Sequence, residues 1–164
     1  MTHENPREQR KSRKLDSHVA EPERLQVAAL PWRWNGRLEI MLVSSRESRR
    51  WIIPKGWPMA GRSNSAAASI EAMEEAGLLG AIEAEPFGQF FYAKKFLRGR
   101  TVLCRVEVFL LRVVRQRHVW PERAQRDTHW FPAEEAMTLA SDPELADLIG
   151  HFIQTREAGP AMLD

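Results

Sequence analysis

The chain has 164 residues, 43% hydrophobic and 28% charged, with a formal net charge of +2 and a pI near 9.0. That is the make-up of one globular domain large enough to bury a core, and so small a net charge gives no argument for nucleic acid as a partner. One cysteine, Cys104, excludes an intramolecular disulfide and points to a reducing cytoplasm; no N-terminal stretch reads as a signal peptide, and the best apolar run, 106–114, is broken by Glu107 and Arg112, which excludes a membrane span.

Residues 1–24 are polar and charged and predict a flexible arm carrying the basic run Arg10, Lys11, Arg13 and Lys14. A single domain is expected over 25–156, with a short tail at 157–164. Apolar stretches at 25–34 and 38–43 flank Asn35-Gly36, a two-residue hairpin signal that puts Leu38, Ile40 and Leu42 on one strand face. A polar loop with Arg46, Arg49 and Arg50 follows, then a short strand at 51–53 that ends at Pro54.

The stretch 56–78 is the most informative. Gly56, Pro58 and Gly61 predict a loop, Ser63, Asn64 or Ser65 a helix cap, and Gly77 the position just past the helix end. On the helix, Ala66, Ile70 and Met73 form the expected core face. Glu71, Glu74 and Glu75 lie at i, i+3 and i+4 on another side, with Ala67 one turn earlier leaving room beside them. Like charges so spaced repel by roughly 0.2–0.5 kcal/mol per pair, and the helix dipole disfavours anions near its C-terminus. A hard divalent cation is the natural compensation.

Beyond Gly77, one or two strands are expected up to Phe96, with Phe87, Phe90, Phe91 and Phe96 in core or pocket. Arg98-Gly99-Arg100 reads as a turn. The clearest strand covers 101–114, with Val102, Cys104, Val106, Val108 and Leu110 on one face and Arg105 and Glu107 on the other. A charged loop at 115–126 leads to Trp130-Phe131-Pro132, which opens a helix to about 139 with Pro132 in its first turn. Ser141 to Glu144 reads as a capping box for a last helix buried through Leu145, Leu148, Ile149 and Phe152. His118, His129 and His151 show no ligand spacing.

The loop and helix resemble the signature of the Nudix hydrolases, G-x5-E-x7-R-E-U-x-E-E-x-G-U with U aliphatic, through Gly56, Glu71, Glu74, Glu75, Gly77 and Leu78. Arg62 stands where the family has its first Glu, Ile70 where it has Arg, and Ala72 at an aliphatic position. Further residues, Ser44-Ser45-Arg46, Arg50 to Pro54, and Arg126 ahead of Trp130-Phe131, are similar to the diphosphoinositol polyphosphate phosphohydrolase branch. The resemblance implies an α/β/α sandwich around a mixed sheet and a pyrophosphohydrolase that uses Mg²⁺ or Mn²⁺. Its substrate would be a small-molecule polyphosphate, a dinucleoside polyphosphate or a diphosphoinositol polyphosphate.

Carried over, Gly56 (through its carbonyl), Glu71, Glu74 and Glu75 would ligate the metal. Glu71, Glu74 and Glu75 would also be catalytic, with Glu74 either the third ligand or a base acting through water. Arg46, Arg50, Lys55 and Arg126 would hold phosphates, and Trp57 is a candidate for stacking on a base. A homodimer is conceivable by family analogy alone. The family's Arg at the position of Ile70 orients a neighbouring Glu, which Ile70 cannot do, so a polyphosphate-binding module without turnover is the alternative expectation.

Overall fold

Strand β1 (Arg24–Trp34) runs parallel to β7 (Thr101–Gln116), from Arg24↔Cys104 to Trp32↔Arg112, at the centre of a mixed sheet. A parallel pair covered on both faces needs unbroken apolar stretches, and β1 has one: Val27 and Ala29 face one side, Ala28 and Leu30 the other, all fully buried. The computed structural model describes residues 22–157. The basic run Arg10, Lys11, Arg13 and Lys14 lies outside these residues, as does 158–164 of the expected tail. Arg24, expected at the end of the arm, instead opens β1.

Strand β2 (Leu38–Ser44) joins β1 antiparallel through Trp34↔Leu38, so the connection has three residues, 35–37, rather than the two expected. Gly36 takes φ 70, which favours glycine. Arg37, left outside the ladder, turns its Nε to the buried Glu39 at 3.2 Å, beside Arg33 at 2.8 Å. The next strands are β3 (Trp51–Ile52), β4 (Lys55–Gly56), β5 (Leu78–Ile82), β6 (Gly88–Lys95) and β8 (Thr128–Pro132). β6 and then β5 pair along the second edge of β7, and β8 pairs with β2. Trp130 and Phe131 therefore belong to a strand. The expected helix starts only after them, because their main chain is taken up by the ladder to Met41 and Ile40.

Helix α1 (Asn64–Ala76) covers one face of the sheet, and α2 (Ala133–Leu139) with α3 (Pro143–Glu157) covers the other. This is the expected α/β/α sandwich. Leu145, Ile149 and Phe152 are fully buried as expected. The capping box before α3 does not form: the buried Ser141 Oγ has no partner, and Glu144 accepts from the Phe91 N–H at 3.1 Å instead. Among the described residues, no helix is long and apolar enough to cross a membrane.

The buried stripe of α1 is Ala68, Ala72 and Ala76 with Ala67, all fully buried, whereas Ala66, Ile70 and Met73 are only partly covered. Side-chain size misleads here, since methyl groups let the helix lie close on the sheet while Ile70 and Met73 point to its outer flank. Ala67 is therefore a packing residue. At about 3.6 residues per turn, Glu75 falls beside this stripe, Glu71 next to it and Glu74 farthest out.

Gly77 ends α1 at φ 71 and donates its N–H to the Met73 carbonyl at 2.8 Å. A Cβ there would overlap the Trp120 indole. Gly77→Ala should cost at least about 1–2 kcal/mol, the left-handed backbone penalty alone, with more from that overlap. Denaturant unfolding of the two proteins measures it, and an unchanged midpoint would contradict this packing.

Candidate functional site

Ser63 caps α1 by accepting the Ala66 N–H at 3.2 Å, and the loop before it turns at Gly61, φ 74. The loop leaves from β4, where Gly56 pairs with Val27, a residue of the core beneath α1. Gly56 lies directly under the Glu71 carboxyl: a Cβ on it would overlap all three carboxyl atoms. The glycine of the motif is thus what lets a carboxylate from the helix rest on the sheet.

The other end of α1 is closed by the loop 117–127 and the residue before it. A helix leaves its last carbonyls without intrahelical donors, and here four successive ones are met from outside. Glu122 N–H donates to the Glu74 carbonyl at 2.9 Å, Trp120 Nε1 to Glu75 at 3.2 Å, Gln116 Nε2 to Ala76 at 2.9 Å, and Arg117 N–H to Gly77 at 2.8 Å. Docked this way, the loop delivers Glu122 and Arg126 to the carboxylates. Arg126 Nη2 lies 3.4 Å from Glu75 Oε1, its Nε 3.2 Å from Glu122 Oε1, and its Nη1 3.2 Å from the Ser44 carbonyl.

Burial pushes the Glu71 carboxyl up to about 7, helped by the charges of Glu74 and Glu122 and opposed by Arg126. Burial raises Glu75 as well, against the pull of Arg126, with Glu122 and Glu71 adding to the rise. Glu75 Oε2 is buried without a hydrogen-bond partner. An orphaned carboxylate oxygen among like charges is the donor chemistry a hard cation satisfies. Even so, among the described residues no three His, Cys, Asp or Glu side chains already form a cage. The oxygens suit a divalent metal, and a cation would have to draw them together.

The structure brings Glu71, Glu74, Glu75 and Arg126 together, and the anionic cluster gains Glu122, which sequence reasoning missed. Its one sequence signal was the Glu122, Arg126 pair at i, i+4 in a charged loop. Arg126, expected to hold phosphate, is spent on protein partners, with only 9% of its side chain exposed. Arg46 reaches the rim, 4.0 Å from Glu122 and 3.3 Å from Gln125. Arg50 is not brought in; its Nε bonds Ser48 in its own loop. Arg62 is exposed. Lys55, paired with Ala28, points to the α3 side of the sheet, with its Nζ 4.9 Å from the Tyr92 ring centre. Burial lowers its affinity for a proton, while Glu75 and Asp142 raise it. Trp57 is 38% exposed next to Gly56.

No family profile matches the chain. It is 29% identical over 124 residues to Nudix hydrolase 12 of Arabidopsis thaliana, covering 74% of this chain and 61% of that protein. With Nudix hydrolase 21 of the same plant the identity is 29% over 135 residues, covering 79% and 66%, so the chain spans less than two thirds of either relative. Among solved structures, a Caenorhabditis elegans Ap4A hydrolase superposes with a TM-score of 0.60 at 20% identity over 81% of this chain and 98% of that one. The Nudix domain of Shewanella oneidensis NrtR, solved with ADP-ribose, gives 0.61 at 16% identity over 93% and 99%. Both share the sheet and helix arrangement described above. With the glycine, the three glutamates and the closing Gly77-Leu78 in register on that fold, the chain is similar to the Nudix hydrolases in sequence and in fold.

Proposed function

We propose that the protein is a metal-dependent pyrophosphohydrolase that cleaves a phosphoanhydride bond in a nucleoside-diphosphate-linked or related polyphosphate compound. The observation that carries this is Glu75 Oε2, a buried and unpartnered carboxylate oxygen beside Glu71, Glu74 and Glu122. Glu71, Glu74 and Glu75 would hold Mg²⁺ or Mn²⁺, with the Gly56 carbonyl beneath Glu71 as a further donor. When bound, such a cation neutralises the phosphates and acidifies a water. Glu74, outermost of the three, can either complete the ligand set or take the proton of the attacking water. Arg46, at the rim beside Glu122, is placed to grip phosphate oxygens.

For the substrate, the resemblance of Ser44-Ser45-Arg46 and Arg50 to Pro54 to the diphosphoinositol branch supports a diphosphoinositol polyphosphate. The likeness to an Ap4A hydrolase and to a domain that binds ADP-ribose supports a dinucleoside polyphosphate, which we take as the first choice. A second reading, a module that binds such a compound without turnover, is favoured by Ile70 and Arg62 and by the absence of a ready-made cage among the described residues.

Purified protein incubated with Mg²⁺ and diadenosine polyphosphates, inositol pyrophosphates or nucleoside triphosphates should cleave one class, with products resolved by ion exchange. Glu71→Gln should lower turnover by about 100-fold or more, the scale of losing an electrostatic stabiliser. If the wild type cleaves nothing and a panel member raises its melting temperature, the binding module is correct.

Gly56→Ala should displace Glu71 and cost roughly 100-fold in turnover, as expected for a misplaced reacting group, with far-UV circular dichroism unchanged. Full activity would show that Glu71 need not rest on Gly56.

The raised affinity of Glu71 for a proton sets a pH dependence. Without metal, it favours the folded state below the ordinary carboxylate value of 4.5, and that contribution is lost as the pH rises through about 7. Metal needs the ionised form, so cation affinity should rise over the same window and binding should release protons. Calorimetric titration of Mg²⁺ in two buffers of different ionisation heat measures the release; none at pH about 6 would contradict the assignment.

A further inference from the structure

We infer that Arg126 is a positioning residue of the metal site. From the loop 117–127 it supplies the guanidinium that α1 lacks at Ile70, and it turns Glu75 so that one oxygen is pinned and the other is free for the cation. The inference rests on the metal-dependent reading above.

The geometry points this way through both oxygens of one carboxylate. Glu75 Oε1 is held by Arg126 Nη2 at 3.4 Å, while Oε2 is buried and unpartnered. The two side chains are 5% and 9% exposed, so water competes little for the pair. The guanidinium is fixed in turn by Glu122 Oε1 and the Ser44 carbonyl, at 3.2 Å each. A rigid fork with three acceptors on the edges of one plane cannot rotate without breaking two bonds. Nothing comparable comes from α1 or the loop before it, where Ile70 carries no charge and Arg62 is exposed.

Gripping substrate is the competing role, and the same contacts argue against it. An arginine that receives phosphate turns its donors to the cleft, whereas three of the five N–H donors of Arg126 already have protein acceptors and its side chain is 9% exposed. Arg46, 60% exposed at the same rim, is the better placed group for that task.

The test is Mn²⁺ titration followed by electron paramagnetic resonance, with no substrate present. Arg126→Met should weaken Mn²⁺ binding by about 10–100-fold, the usual cost of losing a partner of a metal ligand, and saturating Mn²⁺ should restore the wild-type KM. In a Glu75→Gln background, Arg126→Met should cause no further loss, because the arginine acts through Glu75.

Unchanged Mn²⁺ affinity with a raised KM would overturn the inference in favour of substrate gripping. An equal loss in the Glu75→Gln background would overturn it by showing that Arg126 acts elsewhere. If Arg126→Met does not fold, Arg126→Lys carries the test: one ammonium cannot serve both carboxylates and the Ser44 carbonyl, so affinity should still fall while the melting temperature holds. Wild-type affinity in that variant would overturn the inference. A wild type that binds no Mn²⁺ at all would instead remove the reading beneath it.

Discussion

Three carboxylates are held at the negative end of a helix, the most deeply placed of them against the core, and the rest of the structure answers to that unfavourable arrangement. Dipole, mutual repulsion and burial all oppose ionisation there. The order of burial around α1 grades the opposition. Glu75 lies beside the alanine stripe and Glu71 is next, and both carboxyls are raised. The alanines that bring α1 close to the sheet are thus also the cause of the strain on the acids. Close packing and an electrostatic load come from the same residues.

Two devices on either side of the helix make the arrangement tenable. Below, Gly56 gives Glu71 a surface without a side chain to rest on. At the end, the loop 117–127 with Gln116 takes up four carbonyls, from Glu74 to Gly77, and brings one cation into contact with Glu75. Capping and charge compensation are therefore one structural event. Trp120 contributes to both, with its ring over Gly77 and its indole N–H on the Glu75 carbonyl.

What was legible in the sequence was local. The i, i+3, i+4 spacing of the glutamates, Ser63 and Gly77 at the helix ends, and the alternation from Val102 to Leu110 all depend on neighbours a few positions apart. The sandwich was what the resemblance to the Nudix hydrolases implied. The misreadings arose where a local sign competed with a distant contact. Ile70 and Met73 outweighed the alanines by size, although the sheet accepts only the smaller groups. Pro132 marked a helix start and hid the strand before it, which exists through pairing with β2. Arg126 was legible as part of the site, but its contact with Glu75, 51 positions away, was not.

That separation bears on how the site can be inherited or moved. The stretch 56–78 looks like a portable cassette, yet here its electrostatics are completed by a second segment that shares no sequence neighbourhood with it. A cassette carrying its own arginine at position 70, grafted into this chain, would add a second guanidinium to a cluster that already holds one. The reciprocal graft would leave the transplanted glutamates with none. Moving this site intact therefore requires helix and loop to be taken as a pair.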